Sequence, residues 1–427
     1  LQLQLYEDNK LSVNVVFFAF GKAIKSKIFS ANGQNPGVGG TQFATIILAL
    51  KLANVRSNYQ IYLCSDFFLR LQNSPKNLKQ ISIKDFFNDR KLFDYTKTIF
   101  ICIDGILHNK KLLNKLLKYK IVNWIHHPFK MPSYHKNLKF SAHVSVGTYQ
   151  YFSNNVWYKP HWHIPYLFNT LMRDSLPKKI YRPNETMRLV FLGALVLGKG
   201  FHYIAREWPK IKKKFPNVRL DVIGSTKTHD GKDPENKIIP TTNSYAKEIL
   251  KYITDEDLQT KRVVFHGNLG KEKFRIIKKA HFAILNPTGR TEALPASTLE
   301  CLMCGTPVIA SNDYGMSDFM RDFPECSLGN PSEITNKLIT ITNNSSLYLS
   351  LQKRSLLVAK SFLKKTPEIL SRWQQLIDTL VANKIIKNNP PTQSFVGNQF
   401  YLIIRIVIRS IIVILKFIFN KLLKKQL

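Results

Sequence analysis

Two glutamates, Glu292 and Glu300, stand eight positions apart in the stretch TEALPASTLECLMCGTPVIAS, residues 291–311. Pro295 lies between them. Proline suits the first turn of a helix, because its fixed φ matches and its missing N–H would be unsatisfied there anyway. Glu292 is therefore expected in the loop before a helix, and Glu300 inside it, about 7–8 Å further along the axis. At that spacing the carboxylates bracket a helix N-terminus and do not pair on one face. Free N–H groups and the helix dipole favour phosphate there, and a carboxylate accepts from vicinal hydroxyls. Sugar, diphosphate and ribose in line would fit such a layout. Chemistry alone favours an ordinary helix surface, because two glutamates eight positions apart are common.

Other chemistry-bearing residues are weaker signals. Cys301 and Cys304 form a lone C-x-x-C with no second pair, and they fall in the last turn of the expected helix, where neither zinc nor redox chemistry is favoured. The five cysteines are odd in number and sit mostly in apolar runs, so the sequence predicts a reducing compartment without a disulfide framework. Asp255-Glu256-Asp257 has the form of a metal-binding D-x-D but lies in a mixed acidic and basic stretch. It is read as a solvated loop, and no metal or other cofactor is expected.

The elements that must position these residues alternate. VNVVFFAF reads as a strand, and GQNPGVGGTQFATIILALKLA as a glycine-rich turn feeding a helix. YQIYLCS, KTIFICID, KIVNWIHH and AHVSVG read as further buried strands, with helical segments such as NKKLLNKLLKYK between them. Short β-branched runs alternating with helices predict a doubly wound parallel sheet. Residues 165–187 read as a connector, and then the pattern restarts. MRLVFLGAL, VRLDVIGS, RVVFHGNL, HFAILNP and PVIAS are strands. GFHYIAREWPKIKKKF, KEKFRIIKKA and PASTLECLMC are helices, and Gly305 is expected to end the last. TPEILSRWQQLIDTLVA reads as the helix that closes this second unit. The expected organisation is an α/β domain over 1–170, a second over 187–382, and a linker and tail over 383–427. Ligands in such sheets bind beyond the carboxyl ends of the strands.

The segment 291–311 resembles the retaining GT-B glycosyltransferases of the family-four type (glycosyl transferases group 1), whose second domain carries Glu, seven residues, Glu, then a Gly-x-Pro turn and a short strand. FLGALVLGKGF, FPNVRLDVIGS and VVFHGNLGKEKFRIIKKAHFAILNP resemble the runs that precede it, in the same order. The resemblance is dense over 187–382 and looser over 12–165. It implies a GT-B fold, with two Rossmann-like domains facing a cleft, and a nucleotide-sugar donor. Glu292 would contact donor-sugar hydroxyls, Glu300 the ribose, and Lys199 the diphosphate. Gly39 and Gly40 would let the first domain's backbone approach that diphosphate. Leu294, Pro295 and Ala296 would supply amides to it, and His126 or His127 would face the cleft near the reacting carbon. Two departures stand out. Ala194 occupies a position where the family often has arginine, and Arg290 is the substitute we expect. Ala293, Leu294 and Pro295 replace glycines common after the first glutamate.

Lys and Arg number 63 against 28 Asp and Glu, a formal +35 that predicts an anionic partner. Much of this basic, acid-free character lies in the tail, because no acidic residue follows Asp378. From Phe400 to Phe419 the chain is apolar except for Arg405, Arg409, Ser410 and Lys416. At 100° per residue the three cations fall within about 40° of one another. A spanning helix would bury arginines at about 2.5–3.5 kcal/mol each, so an amphipathic helix lying in an anionic membrane surface is expected over 400–427. Val13–Phe20 is too short and interrupted for a signal peptide. The expected setting is cytoplasmic, peripheral to the inner face of the plasma membrane, with a glycan or lipid-linked acceptor in surface polysaccharide or lipopolysaccharide synthesis. Two alternatives stand beside this. Ala194 motivates a catalytically silent GT-B scaffold. The net charge motivates a nucleic-acid binder, but no recognition helix or RNA-binding motif accompanies it, and no nucleic-acid partner is expected.

Overall fold

The computed structural model describes residues 13–56, 58–89, 92–103, 110–127, 139–154, 160–169, 182, 185–227 and 233–392. The predicted tail helix over 400–427 lies outside the described residues. Among those described, no helix is long and apolar enough to cross a membrane.

Two parallel sheets carry the fold. The first contains β1 (Val13–Phe18), β3 (Tyr59–Ser65), β5 (Leu78–Ser82), β6 (Thr98–Ile103), β7 (Lys120–Ile125), β8 (Ala142–Ser145) and β9 (His161–His163), in the order β5-β3-β1-β6-β7-β8-β9. The second contains β10 (Met187–Leu192), β11 (Val218–Ile223), β12 (Val263–Phe265), β13 (Phe282–Ile284), β14 (Val308–Ser311) and β15 (Ser327–Leu328), in the order β12-β11-β10-β13-β14-β15. β2 (Ile28–Phe29) and β4 (Arg70–Leu71) form a small separate pair. The short apolar runs of the sequence are these strands. VNVVFF and TIFICI are buried at nearly every position because helices cover both sheet faces.

Each sheet has one switch point. In the first the chain winds outward from β1 through β3 and β5, then returns to β6 on the other side of β1. In the second it does the same from β10, returning to β13. The crevices between β1 and β6 and between β10 and β13 open at the carboxyl ends of the strands.

The Thr366–Val381 helix departs from expectation. Read as the closing helix of the second unit, it packs on the first sheet. Tyr59 donates its hydroxyl to Asp378 at 2.6 Å, Trp373 meets Trp124 edge-on at 5.2 Å, and Lys120 donates to the Leu380 carbonyl. Residues beyond the helix extend this contact. Asn389 bridges to Trp162 at the sheet edge, and Arg372 donates to the carbonyls of Asn389 and Pro390. The helix has an apolar stripe with the period of any amphipathic helix, and periodicity does not say which sheet the stripe meets.

Asp255-Glu256-Asp257 also departs from expectation. It opens a short helix, Asp255–Gln259, with a reciprocal capping box between Thr254 and Asp257. Asp257 is buried and paired with Lys212 at 2.8 Å. A carboxylate at the third helical position satisfies the N-cap amide, and that offsets its burial.

Candidate functional site

The two switch points face each other across a cleft of about 670 Å³. From the first half it is lined by the ends of β1 and β6, the Gln34–Ala44 loop and helix start, His126, His127 and the 166–169 segment. From the second half come Leu192–Ala194, Lys199, Gly224, Asn268, Lys273 and the loop and helix from Thr291 to Glu300.

The loop before the Ala296–Met303 helix is held tightly. Thr291 sits in the left-handed region at φ 67°, a conformation that costs a residue with a Cβ about 1–2 kcal/mol. Its hydroxyl donates to the Gly198 carbonyl. Glu292 follows, and its Oε1 accepts from Lys199 Nζ at 2.7 Å and from Asn286 Nδ2 at 3.0 Å. The carboxylate is almost wholly buried, while Lys199 is about a quarter exposed. Pro295 serves as N-cap, one position earlier than expected, and Ala296 opens the helix. Gly305, at φ 64°, follows the C-cap as predicted. Glu300 is the fifth helical residue, and its Oε1 accepts from Lys273 Nζ at 2.6 Å. Cys301 and Cys304 are both buried.

Across the cleft, Gly39 is the N-cap of the Gly40–Val55 helix. A Cβ built on Gly40 would meet no atom within 4 Å, and Gly39 and Gly40 both line the cleft. His126 is packed edge-on against Trp124 at 4.3 Å and against Tyr166 at 4.8 Å. His127 is less buried, and its carbonyl accepts from Gln150 Nε2. Both histidines line the cleft.

The two halves meet beside the Glu292 loop. A Cβ on Gly147 would lie 1.8 Å from the Ala293 carbonyl oxygen, and one on Gly315 would lie 2.1 Å from the same atom. Gly315 N donates to the Glu292 carbonyl at 3.0 Å. Thr148 N, in the first half, donates to Asp318 Oδ2, in the second, at 3.0 Å. Burial pushes the Asp318 carboxyl up to about 6, against the opposing pull of Arg321 and of the bond from Thr148. Tyr149 and Tyr314 add an edge contact at 5.3 Å.

The cleft thus gathers Glu292, Glu300, Lys199, Gly39, Gly40, Leu294, Ala296, His126 and His127. Pro295 lies beside them as the N-cap, outside the lining. Arg290 is not brought in. Its side chain is exposed and outside the lining, and its backbone carbonyl accepts from Asn286. Gly289, directly before it, holds a left-handed φ of 66°. Asn286 and Lys273 were not anticipated. Asn286 could have been suspected as the polar residue directly after the β13 run. Lys273 shares a face with buried Ile277 four positions on, which is unusual for a lysine that merely solvates a helix.

The class defined by this fold is GT-B: two doubly wound parallel sheets with their switch points facing a common cleft. Residues 172–355 match the family model described as glycosyl transferases group 1. A protein of Haemophilus influenzae described as an uncharacterized glycosyltransferase is 24% identical over 206 residues, covering 47% of this chain and 52% of the relative. The match therefore spans about half the length of that relative. Among solved structures, sucrose-phosphate synthase of Thermosynechococcus elongatus superposes with a TM-score of 0.57 at 14% identity, covering 87% of this chain and 100% of that one. Anabaena HepE in complex with UDP-glucose superposes with a TM-score of 0.57 at 12% identity, covering 86% and 99%.

Proposed function

We propose that the protein is a retaining glycosyltransferase that moves a sugar from a nucleotide-diphosphate sugar to a glycan acceptor. The observation that carries this reading is the convergence of Glu292, Lys199, Glu300 and two helix starts, at Gly40 and Ala296, on one cleft, with the second half of that cleft inside the segment that matches glycosyl transferases group 1. The uridine- or guanosine-diphosphate donor would lie with its ribose at Glu300, its diphosphate between Lys199 and the helix starts at Gly40 and Ala296, and its sugar at Glu292. Breaking the bond from the anomeric carbon to the diphosphate leaves negative charge on the leaving oxygen. Lys199 and the helix N-termini are preorganised to stabilise that charge. The acceptor hydroxyl attacks the same face, and its proton passes to the departing diphosphate, so no glycosidase-like carboxylate pair is needed. His126 and His127 flank the acceptor side. Arg290, outside the lining, is not given a diphosphate role, and no metal or other cofactor takes part in this scheme.

The donor is tested by thermal stabilisation of the protein with UDP-, GDP-, ADP- and CMP-sugars. A ligand that binds only the folded state raises its apparent stability by about 2.7 kcal/mol at a hundredfold excess over Kd. Stabilisation by one nucleotide class, lost in Glu300→Ala, is the expected result. No stabilisation by any of them would favour the silent scaffold that Ala194 first suggested.

The basic apolar segment 400–427 is proposed to hold the enzyme on an anionic membrane surface, with a lipid-linked acceptor for surface polysaccharide or lipopolysaccharide. A chain ending at Thr392 keeps the contacts of Arg372 with Asn389 and Pro390. It should move from the membrane fraction to the soluble fraction, with binding to anionic vesicles lost. An unchanged distribution between the fractions rules out this role for the tail.

A further inference from the structure

Glu300 is expected to grip a ribose, but a carboxylate facing a cleft does so well only if it is fixed in one rotamer. Lys273 meets that need. Its ammonium lies 2.6 Å from Glu300 Oε1, and the two side chains are only 5% and 11% exposed. Both residues line the cleft. The partners come from different helices, Lys273–Lys279 and Ala296–Met303, so their distance is fixed by how the helices pack. The turn that leads into the Lys273 helix is itself fixed from across the cleft. A Cβ on Gly37 would lie 3.1 Å from the Leu269 carbonyl oxygen, and one on Gly270 would lie 3.3 Å from Pro36. The lysine is therefore set by contact between the two halves as well as by its own helix.

A buried ion pair is a poor way to add stability, since apolar residues of similar volume often serve as well. A purely structural account thus leaves unexplained why the pair stands on the cleft wall. Ligand recognition explains it. With Oε1 held by Lys273, the remaining acceptor capacity of the carboxylate is aimed at the cleft as a preorganised partner for a diol.

We infer that Lys273 is a positioning residue for nucleotide recognition, which acts through Glu300 to discriminate ribose from deoxyribose. This rests on the reading of the cleft as a nucleotide-sugar site.

The test compares matched ligands by titration calorimetry on the full chain: UDP with 2′-deoxy-UDP, and likewise the guanosine and adenosine pairs. The wild-type protein should prefer the ribonucleotide of one pair by about tenfold, the scale of a hydrogen bond to a charged group. Lys273→Met should bind both members of that pair with nearly equal, weakened affinity. Lys273→Arg, which keeps the charge, should retain most of the preference. If the methionine variant does not fold, Lys273→Gln carries the same test, because it removes the charge but keeps a donor.

A Lys273→Met protein that keeps the wild-type ratio overturns the inference, whether affinity falls for both members or for neither. An equal fall with the ratio kept would make Lys273 a phosphate contact. Wild-type protein that binds no nucleotide, or that binds without preferring ribose, overturns instead the underlying assignment of the cleft and of Glu300.

Discussion

Gly147→Ala is expected to reduce sugar transfer by about two orders of magnitude while leaving the protein folded. The added methyl would start 1.8 Å from the Ala293 carbonyl oxygen and 3.1 Å from Asp318 Oδ2. Relief by sliding the loop is opposed, because Gly315 packs against the same carbonyl and its N–H holds the Glu292 carbonyl. The halves must therefore separate by an ångström or more, or the loop must distort. Either outcome displaces Glu292 relative to the first half and lengthens the bond from Thr148 to Asp318. A misplacement of about 1 Å at a reacting centre costs about a hundredfold in rate. The contact lies in the turn just past the end of β8 and outside the strands themselves, so circular dichroism should be unchanged and nucleotide binding only mildly weakened. Undiminished turnover would mean that the contact at Gly147 is not part of the reactive arrangement.

Glu292→Gln is expected to separate chemistry from nucleotide binding. The carboxylate accepts from Lys199 and Asn286 through one oxygen. The amide keeps the shape but removes the charge that holds Lys199 and the stronger acceptor for a sugar hydroxyl. Hydrogen bonds to charged groups contribute about 1.5–3 kcal/mol, so kcat should fall by about 10- to 100-fold. The Kd for the free nucleoside diphosphate should change by no more than about threefold, because on this reading Glu292 serves the sugar and Glu300 the ribose. Steady-state kinetics with parallel calorimetry decide the matter. Lost nucleotide affinity with intact kcat would exchange the roles of the two glutamates.

Local patterns made much of this arrangement readable. β-Branched runs and the glycine turns marked the strands and the cleft-facing loops, because burial on both faces leaves an uninterrupted apolar run whatever the tertiary context. The depth of Glu300 inside its helix was readable from its distance to Pro295, since a helix fixes the rise between its residues. Long-range partners were not readable. Lys273 reaches Glu300 from 27 positions away, and in a chain this rich in lysine no composition marks it out. Arg290 looked well placed by proximity to Glu292, but nearness in sequence does not fix where a loop side chain goes, and Arg290 is exposed outside the lining. The Thr366–Val381 helix advertised an apolar stripe and gave no sign that its partner was the first sheet, because an amphipathic face is complementary to many surfaces.

That helix has a bearing on how the molecule is made. The first sheet is encoded early, yet the cover over Trp124 and Tyr59 is supplied by Trp373 and Asp378, and Lys120 finds its carbonyl 260 positions downstream. During synthesis that sheet waits with an aromatic face bare until the whole of the second sheet has been made. Folding is then completed by the C-terminal strap, and the second half is enclosed between two passages of the backbone. Cutting the chain between its halves would yield a first fragment with an adhesive face.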